Sequence, residues 1–298
     1  MQSTLNSTYS KLALATVCAV SMGLTACQKP AEKTEGAAAS QPAASASTGK
    51  KIRIATEGAY KPFNYTNADG TLGGYDVDVA KAVCAQAKLD CEIVAQDWDG
   101  ILPGLMARKY DAVAAGMSIT PERSAQVDFT TPYFKNTMVW VAAKGGKFNP
   151  QAISGLKIGG QRSTTMAQYL QDKLSKTNEI KLYDNYDNAY IDLKSGRIDS
   201  VLSEKVTASE WLKQNSDYQI VGSEMDNGDN IAMAIRKGDP LKVEFDKALD
   251  ALQSNGELAK LQKQHFGNAT TITAAASSVA VTVSSTTTTT TTVASTSK

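Results

Sequence analysis

A single histidine, His265, occurs in 298 residues. That is too few for a His-rich metal centre, and it leaves little for a Ser-His-Asp triad. Charge of one sign is also lacking: 31 Lys and Arg face 30 Asp and Glu, a net +1. The balance gives no footprint for nucleic acid or for an anionic membrane surface. The apolar run Leu12 to Leu24 falls short of the roughly 20 residues that span a bilayer. What is present is an ordinary globular composition, 42% hydrophobic and 20% charged, able to bury a sizeable core. The length suits one large domain or two smaller ones.

Lys11 followed by Leu12 to Leu24 has the pattern of an export signal. The run ends in Leu24-Thr25-Ala26-Cys27, which resembles a bacterial lipobox, in which the Cys is freed at its amino side and acylated. Several acyl chains on Cys27 would anchor the protein firmly, each buried methylene adding about 0.8 kcal/mol. A plain signal peptide with an incidental Cys is the alternative. Residues 28–50, rich in Ala, Ser, Pro and Gln, read as a flexible tether. Residues 268–298, rich in Thr, Ser, Ala and Val, read as a disordered tail, with an added edge strand as the alternative.

Of the four cysteines, Cys18 leaves with the signal and Cys27 takes the lipid, so Cys84 and Cys91 remain. In an oxidising compartment they are expected to pair. Seven residues of unbroken helix would hold their Cα atoms about 10 Å apart, beyond the roughly 7 Å a disulfide tolerates. The helix must therefore stop between them, with Lys88-Leu89-Asp90 as the stop.

The body 51–267 alternates strand and helix patterns. Strands are expected at 51–56, 91–95 and 111–115, and helices at 75–87 and about 99–108. A similar second unit has strands at 156–160, 180–183 and 200–202 and helices at 164–176, about 186–195 and 205–214. The chain returns through a strand at 230–236 to helices at 240–255 and 256–265. The fold class is α/β, with largely parallel sheets covered by helices. Two lobes with two crossings are expected: 51–135 and 230–267 in the first, 136–229 in the second. Ligands of such sheets lie beyond the carboxyl ends of the strands, which brings Glu57, Trp98 and Ala115-Gly116-Met117-Ser118 together at a cleft.

Two helix starts offer anion sites. Thr120-Pro121-Glu122-Arg123 has an N-cap Thr, a Pro at the first helical position and a cation one turn in. Ser163-Thr164-Thr165 precedes a helix in the other lobe. Free N–H groups and the positive dipole end at each could hold a carboxylate from two sides, with Arg123 bidentate. Capped helix starts are common, and a solvated Arg123 is the plain alternative.

Several segments, in order and with family spacing, resemble the periplasmic polar amino-acid binding proteins of ABC importers. They are Thr56 to Phe63, Gly74-Tyr75-Asp76-Val77-Asp78-Val79-Ala80, Trp98 to Pro103, Gly116 to Arg123, Asp128-Phe129-Thr130 and Gly196-Arg197-Ile198-Asp199. The resemblance implies a two-lobed periplasmic-binding-protein fold (type II) that closes on an amino acid and delivers it to a permease. It implies that Arg123 binds the ligand carboxylate, helped by the backbone of Ser118 and Thr165. Glu204 stands where the family usually has an Asp for the α-ammonium; a solvated Glu at a helix start is the alternative.

Glu57, Tyr60 and Trp98 are expected to read the side chain, because a cation can lie between aromatic faces and end on a carboxylate. Core packing of the two aromatics is the alternative. Asp97 or Asp99 could add negative charge or simply cap a helix. Ala115-Gly116 and Met166 depart from the pattern of basic-amino-acid binders. Arg162 is expected to point away from the cleft, since inward it would favour an acidic ligand.

The resemblance implies a lipid-anchored, periplasmic binding protein and not an enzyme: a monomer with no metal and no cofactor is expected to take a free basic amino acid, arginine before lysine or ornithine, and to have the membrane permease of an ABC importer as its protein partner. Alternatives are a binder of glutamine or another polar amino acid, a cyclohexadienyl dehydratase-like enzyme using Glu57 or Glu204 as acid, and a sensor lobe feeding a membrane partner.

Overall fold

The structure, a computed structural model, describes residues 51–267. The expected signal, the Cys27 lipobox, the tether and the tail lie outside the described residues. Two five-stranded sheets organise the fold, one in each lobe. The first runs Cys91–Ala95, Ile52–Thr56, Ala112–Val113, Ala234–Arg236, Val127–Phe129, and the second Glu179–Tyr183, Lys157–Gln161, Ser200–Glu204, Met138–Ala143, Tyr218–Met225. In each, the first three strands are parallel and the middle one comes first in the chain.

The expectation of largely parallel sheets is corrected at the other two positions. Ala234–Arg236 runs antiparallel to both its neighbours, and so does Met138–Ala143. The reason is connectivity: these strands belong to chain arriving from the opposite lobe, not to a strand–helix–strand crossover that enforces parallel entry. The single strand expected at 230–236 is likewise two short ones, Asn230–Ile231 and Ala234–Arg236. Asn230–Ile231 pairs antiparallel with Phe134–Lys135, so the outgoing and returning passes of the chain bond to each other before the return strand enters the first sheet. A small meander of Ala59–Tyr60, Asn64–Thr66 and Leu72–Gly73 has no alternation long enough to stand out in the sequence.

Helix Tyr75–Ala87 buries Tyr75, Val77, Val79, Ala80, Val83 and Cys84, the stripe its periodicity requires. It packs against Leu241–Ser254 and Glu257–Phe266. The helix expected at 164–176 is shorter and irregular: an α-helix at Thr165–Tyr169 passes into a π-helical stretch at Leu170–Leu174. Tyr75, Phe134 and Phe266 meet pairwise with ring centroids 4.8–5.7 Å apart, joining the first crossing to the last helix.

Lys88 ends the first helix in a left-handed conformation, φ 56°, and the Leu89 N–H bonds the Cys84 carbonyl at 2.9 Å. This reversal brings the Cys84 and Cys91 Cα atoms to 6.2 Å, where the disulfide forms. Because the closed loop is short, the bond's loss is expected to cost about 2 kcal/mol and to lower the melting temperature by roughly 5 °C. Calorimetric melts of the Cys84→Ser/Cys91→Ser protein check this, and an unchanged melt would show that the crosslink contributes nothing.

Candidate functional site

Glu57 directly follows strand Ile52–Thr56, Ala115 to Ser118 follow Ala112–Val113, and Trp98 opens the helix after Cys91–Ala95. In the second sheet Gln161 ends its strand, Thr164 and Thr165 follow it, and Glu204 ends Ser200–Glu204. The carboxyl ends of both sheets thus supply the groups that line one small cavity. Of the residues singled out from sequence, Glu57, Tyr60, Trp98, Ala115, Gly116, Ser118, Arg123, Thr164, Thr165 and Glu204 meet there.

Ser163 does not line that cavity. Its side chain is exposed and its hydroxyl approaches Asp99 Oδ1 at 3.3 Å, while its carbonyl accepts from Arg123 at 2.8 Å. Arg162 also lies outside, paired with Asp99 at 3.4 Å and Asp184 at 2.5 Å. Asp99 is therefore engaged by Arg162 and Ser163, and Met166 is packed in the core of its own lobe.

Arg123 is the cavity's cation. Thr120 caps its helix by accepting the Arg123 N–H at 3.2 Å. The guanidinium donates to the carbonyls of Ser118 and Ser163, 2.8 Å each, and lies 5.3 Å from the Trp98 ring centroid. Burial lowers its pKa, opposed by the charges of Asp229, Glu204 and Glu122; a guanidinium stays protonated regardless. The helices behind both anion sites are short, Pro121–Gln126 and Thr165–Tyr169, so their dipoles are weak and the guanidinium carries the anion-holding charge.

Two carboxyl groups oppose it. Burial pushes Glu57 up to about 8, against the hydrogen bond from Gln161. Burial pushes Glu204, 4% exposed, up to about 7, against the neighbouring Tyr60 hydroxyl. Glu204 Oε2 is buried with no hydrogen-bond partner, so a donor brought into the cavity would relieve it.

The Glu57 loop is held from behind. The Gly58 N–H donates to Asn64 Oδ1 at 2.7 Å, Asn64 Nδ2 donates to Asp76 Oδ2 at 2.8 Å, and the Tyr133 hydroxyl donates to Asp76 Oδ1 at 2.6 Å. Asp76, from the Gly74 to Ala80 motif, is fully buried. Tyr60 stacks on Phe63 and Tyr186 at 5.3 and 5.9 Å. It can do so because residue 116 is glycine.

Sequence reasoning missed Gln161, Tyr186 and Asp229. Gln161 lay one residue past the expected strand, although the rule that ligands sit beyond strand ends would have reached it. Asp229, which accepts from Thr165 Oγ1 at 2.8 Å, is in a turn-like Asn-Gly-Asp stretch with no distinguishing signal.

Comparison with known proteins follows the same outline. The family model of bacterial extracellular solute-binding proteins, family 3, matches residues 52–268. ABC transporter arginine-binding protein 1 of Escherichia coli (strain K12) is 37% identical over 226 residues, covering 74% of this chain and 93% of that protein. A Salmonella typhimurium periplasmic binding protein, solved to explain its high arginine specificity, is similar with a TM-score of 0.69 and 34% identity, covering 73% of this chain and 100% of that one. An ancestral arginine-binding protein bound to glutamine gives 0.67 and 35%, covering 73% and 98%.

Gly116 has φ +58°, and a Cβ there would stand 2.7 Å from the Tyr60 ring. Gly116→Ala is therefore expected to destabilise the protein by at least 1–2 kcal/mol, roughly the left-handed penalty alone. Chemical denaturation measures it, and a stability equal to the parent's would refute the tight approach of ring to backbone.

Proposed function

The chain belongs to the bacterial extracellular solute-binding proteins, family 3, and from that premise we propose that it captures a basic amino acid, arginine ahead of lysine and ornithine. The observation that carries this reading is the charge set of the cleft. A basic amino acid bears one negative and two positive groups, and the cavity holds one guanidinium and two carboxyls. Arg123 takes the α-carboxylate, Glu204 the α-ammonium, and Glu57 the cationic tip, with Trp98 and Tyr60 along the stem. A micromolar complex needs only about 8 kcal/mol net, within reach of such contacts.

The protein acts in the periplasm, tethered through the acylated Cys27, and hands its ligand to the membrane subunits of an ABC importer. Closure of the lobes buries the ligand and forms the surface the permease reads. The carboxyls serve as counter-ions, and we assign them no catalytic role. One observation favours a second reading, a neutral ligand such as glutamine: a carboxyl pushed up to about 8 is protonated at neutral pH and can donate to an amide.

Proton linkage separates the two. The unliganded site holds protons on Glu57 up to about pH 8 and on Glu204 up to about pH 7. A cationic side chain lowers the Glu57 value, so that carboxyl releases its proton below about pH 8; arginine affinity climbs as pH rises toward that value and then levels. A neutral side chain leaves the Glu57 proton in place. Calorimetry near neutral pH in buffers of different ionisation enthalpy reads the difference, and equal proton release with arginine and glutamine would overturn the role of Glu57.

Two variants complete the test. Arg123→Ala is expected to abolish binding of any amino acid. Glu57→Gln is expected to weaken arginine by about 30-fold or more, as for a truncated buried charge pair, and to leave glutamine nearly unchanged. Arginine titrations that match the parent's in Glu57→Gln would defeat the assignment of the tip.

A further inference from the structure

The second crossing of the chain carries a buried carboxylate that meets the cleft from behind. Asp229 directly precedes strand Asn230–Ile231, and its carbonyl accepts from the Asn136 N–H of the first crossing at 2.9 Å. Its backbone thus extends the strand pair that joins the lobes. Its side chain turns toward the second lobe, where Oδ2 accepts from Thr165 Oγ1 and from Asn227 Nδ2, 2.8 Å each. The Thr165 hydroxyl has one proton, and a carboxylate is a far better acceptor than the Met166 thioether 3.3 Å away, so that proton is committed to Asp229. Hydrogen bonds to a charged acceptor are the strong kind. Thr165 lines the cavity with Arg123, yet the chain around it has little stiffness of its own. It opens a helix of five residues that passes straight into a π-helical stretch, and so short a helix depends on tertiary support. The Asp229 charge is also felt in the cavity: it opposes the lowering of Arg123 by burial and adds to the raising of Glu204 by burial.

Resting on the amino-acid-binding reading above, whichever side chain the ligand carries, we propose that Asp229 is a positioning residue, which holds Thr165 against the chain crossings and so sets the wall of the cleft beside Arg123. It acts through the Thr165 hydroxyl and does not touch the ligand. The strand pair that joins the lobes thereby fixes part of the ligand site, and loss of this one bond frees a short segment that its own helix cannot steady. Such a role depends on an acceptor at the right place rather than on charge, because an amide oxygen at position 229 can take the same hydroxyl proton. A role exerted through charge would behave in the opposite way: removing the carboxylate's charge would alter the field at Arg123 and Glu204 whether or not an acceptor remained.

The test is calorimetric titration of the full chain and its variants with arginine, or with glutamine should the parent prefer it, since both carry the same α-carboxylate. Asp229→Ala is expected to weaken binding by about tenfold, the lower end of the range for a lost hydrogen bond to a charged group. Asp229→Asn keeps an acceptor for Thr165 and is expected to stay within about threefold of the parent. Once Thr165→Val has removed the hydroxyl, adding Asp229→Ala is expected to cost less than about twofold more, because residues that act as one unit are not additive. Binding as weak in Asp229→Asn as in Asp229→Ala overturns the positioning role, and so do equal losses with and without Thr165→Val. Undiminished binding in Asp229→Ala overturns it as well, and each of these outcomes leaves the amino-acid-binding reading intact. A parent protein that binds neither amino acid overturns both. If thermal melts show Asp229→Ala unfolded, Asp229→Ser, polar but too short to reach Thr165, takes its place with the same outcomes decisive.

Discussion

Two carboxyl groups and one guanidinium share a space from which water is mostly removed, and taking such groups out of water costs several kcal/mol per ion unless each finds a partner. The empty cleft meets that cost unevenly. Arg123 is satisfied by two carbonyls and the face of Trp98. Glu57 has Gln161 and holds its proton well into the neutral range. Glu204 keeps one oxygen with no partner at all. The imbalance leaves the carboxyl groups short of donors in the empty cleft.

The lobes meet inside the cleft, where Gln161 bonds Glu57, Arg123 bonds the Ser163 carbonyl and Tyr60 stacks on Tyr186, and also nearer the surface. Trp98 Nε1 donates to the Arg162 carbonyl at 3.1 Å, and Arg162 and Ser163 both meet Asp99. Partly exposed ion pairs of this kind contribute about 0–1 kcal/mol each. A ligand that contacts both lobes adds to closure by the difference in its affinity for the two states. The network of Asp76, Asn64 and Tyr133 keeps the Glu57 loop rigid on its own lobe while this happens.

Much of this was legible in the sequence, for identifiable reasons. The parallel half of each sheet was visible because strand–helix–strand units carry both periodicities, and the cleft residues followed from the ends of those strands. Helix Tyr75–Ala87 was readable from its stripe, and the break at Lys88 followed from the reach of a disulfide. The antiparallel strands Met138–Ala143 and Tyr218–Met225 were not legible, since their place depends on a partner strand far away in the chain. The same holds for Gln161: its importance lies in a bond to Glu57, 104 residues distant, which no local pattern encodes. Ser163 meets the site through its backbone, accepting from Arg123 at its carbonyl. It has a positive φ of 59°, and its hydroxyl approaches Asp99.

The interleaving of the first sheet has a consequence for how the chain acquires its shape as it is made. Strand Ala234–Arg236 sits between Ala112–Val113 and Val127–Phe129, so a gap stays open in that sheet until more than a hundred further residues have emerged. A nascent chain has no complete first lobe to settle into, however long synthesis pauses after residue 135. The late insertion leaves that sheet incomplete for most of the chain's length, so the first lobe is finished only by its last segment.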